Sequence, residues 1–240
     1  MRDRICSNGS AKGAGEKRQS RRGVGCRDAV ERGKLIAFEG LDGCGKTTQL
    51  GRLGDRLRKQ GIDPIETHEP TDGETGRKIR SMARSGEGVD PELELEWFFQ
   101  DRREHVDQVI QPGLDAGRWV LCDRYTLSSV AYQGGRGLDP GAILERGEAE
   151  FPVPDLVLLF ELPAARGLER VLSRGGVLEP HFEKRDFLER VSVIFEALDR
   201  PYIERVDATG ERDAVTTEVL EGIEKRFGVA FSDRKSPGAY

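Results

Sequence analysis

Residues 35–48 read LIAFEGLDGCGKTT, and this stretch decides the fold. Its first part is an apolar run typical of a buried strand, and its second part satisfies the pattern G-x-x-x-x-G-K-[ST]. Glycines let successive backbone N–H groups point into one concavity, and a helix that begins near Gly45 adds its positive dipole end. The stretch therefore predicts a strand, a phosphate-binding loop and a helix, in that order.

Two side chains of this loop carry the expected chemistry. Lys46 is predicted to bridge the β- and γ-phosphates of a bound nucleotide, and the hydroxyl of Thr47 is the natural ligand for Mg²⁺. A glycine-rich turn without a phosphate would not require this Lys-Thr pair in register. The predicted phosphate-binding residues are Gly40, Asp42, Gly43, Cys44, Gly45, Lys46, Thr47 and Thr48.

Strand-like and helix-like segments alternate after this loop. Strands are predicted near 35–39, 64–68, 119–122, 156–161 and in a short run ending at 207. Helices are predicted near 45–60, 74–85, 92–116, 126–133, 140–149, 164–173, 186–202 and 213–227. Such alternation predicts an α/β fold with three layers and a central parallel sheet of about five strands. Ligands of such folds bind at the carboxyl ends of the strands.

The composition restricts the classes of partner. At 240 residues the chain fits one domain, and its net charge of −5 gives no overall positive field to attract nucleic acid. No apolar run is long enough to span a bilayer, so no membrane partner is expected. The four cysteines show no C-x-x-C spacing, which argues against a metal centre or a disulfide framework. We expect a cytoplasmic location.

Three segments differ from the predicted domain in composition. Residues 1–33 are rich in Gly, Ser, Arg and Lys, and we expect a disordered basic extension there. The folded domain is predicted over residues 34–228. Residues 229–240 are predicted to form a flexible tail.

Four further segments jointly resemble the thymidylate kinase family. They are Glu69-Pro70-Thr71, the stretch WFFQDRREH at 97–105 followed by DRY at 123–125, the stretch SSVAYQGGRG at 128–137, and Leu168-Glu169-Arg170 with Arg174-Gly175. The resemblance extends from about residue 35 to 227, and it implies a short helical lid at about 174–186. It implies phosphoryl transfer from ATP to dTMP, giving dTDP and ADP, with Mg²⁺ as cofactor and a homodimer as the assembly.

The resemblance assigns the thymine site to one helix. Phe98 and Arg102 are spaced i, i+4, so both project from one helix face, where the ring can stack on thymine and the guanidinium can donate to it. Pro70 would close the other side of the base. The alternative is that Phe98 belongs to the core and that Arg102 is a surface ion-pair partner.

The resemblance also assigns the sugar and phosphate. Arg124 directly follows an apolar strand, where its guanidinium can bind the acceptor phosphate in a bidentate way. Asp123 is expected to act on Mg²⁺ or its waters, although an ion pair between neighbouring elements remains an alternative for both residues. The residues that the resemblance implies for dTMP are Asp42 at the 3′-hydroxyl, Tyr132 at the 2′ position, Ser129 near thymine N3, and Pro70, Phe98, Arg102, Arg124 and Gln133.

The reaction requires charge compensation rather than a general base, because the attacking phosphate is largely ionised at pH 7. Cations must offset the repulsion between the two anions and the charge that develops on the transferred group. The predicted catalytic residues are Lys46, Asp123, Arg124, Arg170 and Arg174. The predicted metal-holding residues are Thr47 and Asp123, acting directly or through water.

Residues 180–183 read PHFE and depart from the family pattern. His181 takes a position where the family often has an Arg, and a largely neutral imidazole is a poor substitute for that cation. Two alternatives therefore stay open. The chain could be a kinase for another nucleoside monophosphate or a deoxynucleoside, or a thymidylate-kinase-like protein that binds nucleotide and catalyses poorly.

Overall fold

A five-stranded parallel sheet forms the centre of the fold. The computed structural model describes residues 31–86, 88–173 and 185–231. The strands are β1 (Lys34–Gly40), β2 (Ile65–His68), β3 (Trp119–Asp123), β4 (Leu156–Glu161) and β5 (Ile203–Asp207). They pair in the order β2-β3-β1-β4-β5, and each neighbouring pair is parallel. The predicted fold class is confirmed.

Helices connect the strands and flank the sheet. They are α1 (Lys46–Lys59), α2 (Glu74–Ser85), α3 (Pro91–His105), α4 (Gln111–Asp115), α5 (Thr126–Gly135), α6 (Pro140–Glu150), α7 (Ala164–Ser173), α8 (Arg185–Ala197) and α9 (Arg212–Phe227). A π-helical turn, Val106–Ile110, joins α3 to α4. The single helix predicted over 92–116 is therefore continuous but contains this wider turn.

Strand β1 lies in the middle of the sheet and is buried on both faces. Leu35 and Ala37 belong to the apolar core on one face, whereas Ile36 and Phe38 belong to the core on the other. This alternation follows from the two-residue period of a strand. Phe38 is in register with Asp123 of β3, so the loop after β1 and the segment after β3 emerge side by side.

The helix predicted over 186–202 is too long, because α8 ends at Ala197. The residue before a proline is disfavoured in the helical conformation, and Arg200 precedes Pro201. The backbone N–H of Leu198 donates to the carbonyl of Phe195, which tightens the end of the helix. The chain then turns and enters β5.

Parts of the domain prediction lie outside the described residues: positions 1–30, most of the lid and positions 232–240. At the start of the described chain, Arg32 forms an ion pair with Asp155 at 3.1 Å. At its end, Phe231 is buried, and its backbone N–H donates to Glu224. Within the described residues, no helix is both long and apolar enough to cross a membrane.

Candidate active site

The loop between β1 and α1 has the backbone that its glycines predict. Gly43 and Gly45 have φ values of 80° and 101°, in the left-handed region that disfavours other residues. A Cβ atom on Gly43 would also lie 2.3 Å from the carbonyl oxygen of Gly167. Larger residues at these positions would therefore distort the loop.

Lys46 is buried within this loop. Its ammonium group donates to the carbonyl oxygens of Gly40 at 3.1 Å and Leu41 at 2.9 Å, and lies 3.7 Å from the sulfur of Cys44. These contacts place a positive charge inside the concavity. Cys44 is itself almost fully buried and packs in the core beside β1.

Thr47 and Asp123 bring two hard oxygen atoms together at the start of α1. The hydroxyl of Thr47 donates a short hydrogen bond to Oδ2 of Asp123. Both residues line a cleft of about 570 Å³, which we call the first cleft. The lining also includes the loop residues Asp42, Gly43, Gly45, Lys46 and Thr48, the β2 residues Glu66, Thr67 and His68, and Leu50, Glu69 and Arg124.

Arg124 adopts a left-handed backbone conformation with φ of 70°, which is uncommon for a residue other than glycine. Its Nη1 donates to the hydroxyl of Ser128 at 3.0 Å, and its Nη2 donates to Oδ1 of Asp42 at 2.5 Å. Nη2 also lies 3.3 Å from the hydroxyl of Tyr132. The guanidinium is therefore held at the carboxyl end of β3, where the sequence predicted it.

Asp42, Arg124 and Tyr132 form one polar cluster. The hydroxyl of Tyr132 donates to Oδ2 of Asp42 at 3.2 Å, and the Arg124 guanidinium lies 5.0 Å from the centre of the tyrosine ring. Burial alone would raise the pKa of Asp42, but the charges of Arg124 and Lys46 outweigh it and lower that pKa to about 2. Burial raises the pKa of Tyr132, so its hydroxyl stays protonated.

Glu39, which the sequence analysis did not assign, is a fully buried carboxylate near the end of β1. It accepts hydrogen bonds from the backbone N–H groups of Tyr125 at 2.9 Å and Ser128 at 3.1 Å, and from the Ser128 hydroxyl at 2.5 Å. Burial raises the pKa of Glu39. An acidic residue inside an otherwise apolar strand is the sequence signal that could have identified it.

Arg102 lies in the interior and forms a buried ion pair with Glu69. Its Nε and Nη2 lie 2.8 and 2.7 Å from Oε2 of Glu69, and its Nη2 donates to Ser129 at 3.1 Å. The rings of Tyr125 and Phe151 lie 5.0 and 5.3 Å from its Cζ. The alternative in which Arg102 makes a surface ion pair is therefore wrong.

A buried histidine contacts the other carboxylate oxygen of Glu69, and the sequence analysis assigned no role to it. The Nδ1 of His105 lies 3.0 Å from Oε1 of Glu69, and its Nε2 lies 2.7 Å from the hydroxyl of Thr67. Burial tends to raise the pKa of Glu69, but Arg102 and His105 outweigh that effect and lower it. Glu69 therefore stays ionised between two nitrogen atoms of Arg102 and one of His105.

The other residues predicted for the base site lie on the segments that carry Arg102 and its partners. Phe98 is half-buried on the same helix, and Pro70 follows Glu69 through a cis peptide bond. Gln133 is buried on α5, and its Nε2 donates to Glu94 at 2.9 Å. Among the residues that the structure describes, only Nη1 of Arg102 and Oε1 of Gln133 are buried side-chain atoms without a hydrogen-bond partner.

A second cleft of about 870 Å³ lies on the other side of the loop. Gly45 and Thr48 line both clefts. Arg170 lines the second cleft and not the first, and its Nη1 donates to the carbonyl of Ala208 at 3.0 Å. The remaining lining residues are Cys44, Gln49, Arg52, Arg166, Glu169, Ser173, Ala208, Thr209, Gly210, Glu211, Arg212, Asp213 and Val215.

The lid residues Arg174 and His181 lie outside the described residues. The structure brings the other predicted residues into two groups. One group surrounds the loop and Arg124, and the other surrounds Arg102. Helix α5 links the groups, because Ser128 contacts Arg124 and the next residue, Ser129, contacts Arg102.

Comparison with known proteins identifies the family. The family model described as thymidylate kinase matches residues 38–219. The thymidylate kinase of Desulfotalea psychrophila is 44% identical over 198 residues, which cover 82% of this chain and 98% of the relative. The thymidylate kinase of Xanthomonas euvesicatoria is 45% identical over 208 residues, which cover 87% of this chain and 89% of the relative. The chain therefore belongs to the thymidylate kinase family.

Proposed function

We propose that this protein transfers the γ-phosphoryl group of ATP to dTMP, giving dTDP and ADP. The acceptor base would bind beside Phe98 and Arg102, and the acceptor phosphate would bind Arg124. Membership of the thymidylate kinase family supports the reaction class. The contacts of the described residues support the individual roles.

The observation that carries the choice of acceptor is the pair of buried polar atoms without partners. Nη1 of Arg102 is a donor and Oε1 of Gln133 is an acceptor. Thymine presents the complementary groups, because its O4 accepts and its N3–H donates, and uracil presents the same pair. Cytosine would present a donor at C4 and an acceptor at N3, which would leave both protein atoms unsatisfied at a cost. Pro70 and Ser129 would complete the base site.

Arg124 would bind the acceptor phosphate, and its neighbours would contact the sugar and distinguish deoxyribose from ribose. Asp42 offers a carboxylate to the 3′-hydroxyl and holds the guanidinium on its other side. The Tyr132 ring packs over Arg124 and would crowd a 2′-hydroxyl. Together these contacts favour a deoxyribonucleoside monophosphate with its phosphate directed at the loop.

ATP would place its phosphates in the loop, with Lys46 beside the β- and γ-phosphates and the glycine-rich backbone around them. The second cleft would take the nucleoside half of ATP. Gly45 and Thr48 line both clefts, so the two substrates would meet across the loop. Arg170 would act from the donor side, and Arg174 remains proposed as a further lid cation.

Mg²⁺ is proposed as the cofactor, and the residues present fit it. Thr47 and Asp123 offer a hydroxyl and a carboxylate oxygen in contact with each other, which are the hard ligands that Mg²⁺ prefers. Bound there, directly or through water, the ion would neutralise phosphate charge. The protein's own part is to hold Lys46 and Arg124 in place where charge develops.

A homodimer and a cytoplasmic location complete the proposal. Leu93 is half-exposed on α3, so that helix carries one large apolar side chain that a second copy of the chain could cover. Cys44 and Cys122 are free thiols, which suits a reducing compartment. Sedimentation equilibrium of the purified protein tests the dimer.

An acceptor screen tests the proposed function. ADP production is measured with ATP and Mg²⁺ while dTMP, dUMP, dCMP, dGMP, AMP and thymidine are offered in parallel. We expect a strong preference for dTMP. Faster turnover with another acceptor would contradict the proposal, and binding of dTMP without turnover would favour a catalytically weak nucleotide-binding protein.

A further inference from the structure

Glu39 lies outside the residues that contact substrate in the proposed function, yet both of its carboxylate oxygens are engaged. Oε1 accepts from two backbone N–H groups, those of Tyr125 and Ser128. Oε2 accepts from the Ser128 hydroxyl. All three donors belong to the segment that directly follows Arg124. A fully buried charge is costly, so a carboxylate retained here is expected to serve more than packing.

The hydroxyl of Ser128 connects this carboxylate to the guanidinium of Arg124. It donates its proton to Glu39 and accepts the Nη1–H of Arg124 at 3.0 Å. The direction of the hydrogen bonds is therefore fixed along the path from Arg124 to Glu39. Because the serine proton is committed to the carboxylate, a lone pair of the oxygen faces the arginine.

The backbone at Arg124 is constrained from both sides. Its own N–H donates to the carbonyl of Phe38 at 2.9 Å, and the next N–H, that of Tyr125, donates to Glu39 at 2.9 Å. A left-handed conformation at a residue other than glycine persists only where the surroundings determine it strongly. Glu39 thus contacts both the backbone that follows Arg124 and, through Ser128, its side chain.

We propose that Glu39 and Ser128 are positioning residues that aim Arg124 at the acceptor phosphate. This inference rests on the proposed role of Arg124 and adds two residues that act through it. In the alternative, Glu39 only caps the start of α5. The two accounts predict different results when the Ser128 side chain is removed. The helix cap would keep both of its backbone donors, those of Tyr125 and Ser128, whereas Arg124 would lose its connection to Glu39.

The first test is the Ser128→Ala variant in the full-length protein. We expect kcat/KM for dTMP to fall about tenfold, which corresponds to the loss of one hydrogen bond to a charged group, while KM for ATP stays unchanged. Ser128→Thr restores the hydroxyl and should recover most of the activity. The matched control is Ser192→Ala, because Ser192 bonds to Glu196 on α8 and lines neither cleft.

The second test is a double-mutant cycle with Glu39→Gln, which keeps an acceptor for the backbone N–H groups. If both residues act through Arg124, kcat/KM of the double variant should be no lower than kcat/KM of the less active single variant. Full additivity of the two losses would overturn the proposal. If Glu39→Gln does not fold, the Ser128 series decides.

Two further outcomes are distinguishable. A wild-type protein that turns over dTMP, combined with a Ser128→Ala variant of unchanged kcat/KM and lower unfolding free energy, would leave only the helix cap and overturn the inference alone. A wild-type protein without turnover of dTMP would overturn the proposed function and the inference together.

Discussion

Two arginine–carboxylate pairs lie at the carboxyl ends of the strands, and they differ in their access to water. The side chains of Arg102 and Glu69 are 1% and 4% exposed, whereas those of Arg124 and Asp42 are 17% and 43% exposed. In the sealed pair, both oxygens of Glu69 are occupied by Arg102 and His105. Glu69 and Arg124 both line the first cleft, but only the side chains of the open pair keep a substantial exposed fraction there.

This difference in exposure gives the two arginines different roles. Breaking a buried pair leaves an uncompensated charge in the interior, so Arg102 is coupled strongly to stability. The partly exposed pair is coupled less strongly to stability, because water reaches Asp42 and screens its charge. Arg124 can therefore exchange partners with an incoming phosphate, while Arg102 offers a fixed donor to a neutral base.

The largest expected effect comes from breaking the sealed pair. Arg102→Met should lower the free energy of unfolding by about 3–5 kcal/mol, because Glu69 would remain buried with its main cation removed. Urea denaturation measures this. The double variant Arg102→Met, Glu69→Met should recover much of the loss, because it removes both charges. A single-variant loss below about 1 kcal/mol would show that the pair is not sealed.

Breaking the open pair should affect catalysis far more than stability. Arg124→Ala is expected to lower kcat/KM for dTMP by at least about 100-fold, as for the loss of one preorganised electrostatic donor. The free energy of unfolding should fall less than in Arg102→Met, because Asp42 keeps its access to water when its partner is removed. Steady-state kinetics and urea denaturation on the same preparation provide both values. Near-normal turnover would remove Arg124 from its proposed role.

A smaller effect should follow from removing the ring beside the sealed pair. Phe98→Ala is expected to raise KM for dTMP about fivefold, which corresponds to about 1 kcal/mol of lost stacking on the base. Val193→Ala is the control, because Val193 is exposed on α8. An unchanged KM for dTMP would contradict stacking of Phe98 on the base and would leave the ring a purely structural role.

The smallest expected effect concerns acid stability at the open pair. Asp42 has a pKa of about 2 in the folded protein against an ordinary value of 3.8, so between these values the unfolded chain binds more protons at this site. Its stabilising contribution is complete above the ordinary value and is lost as the pH falls through about 2. Asp42→Asn should therefore flatten the pH dependence of the unfolding free energy in this window. Identical slopes would contradict the lowered pKa.

The sequence predicted what depends on local pattern. The backbone conformation of the loop at 40–48 could be predicted, because closely spaced glycines indicate the positive φ values that the loop adopts. The sheet followed from the alternation of apolar and amphipathic segments. The position of Arg124 was predicted because the residue lies just after the apolar run at 119–122 and Asp123. Each of these features is determined by neighbours along the chain.

The sequence did not predict what depends on distant partners. Glu39 and Tyr125 are 86 positions apart, and Glu69 and Arg102 are 33 positions apart, so no local spacing relates them. The i, i+4 spacing of Phe98 and Arg102 placed both on one helix face but did not reveal that Arg102 is sealed. Burial of a charge depends on the whole packed core, which a single sequence does not display.

The most direct test of the account compares the affinities of dTMP and thymidine by calorimetric titration of the wild type and Arg124→Ala. If the open pair binds the phosphate, the wild type should prefer dTMP, and Arg124→Ala should lose most of that preference while its affinity for thymidine stays the same. An unchanged preference for dTMP in Arg124→Ala would contradict the account, because the phosphate would then be bound elsewhere.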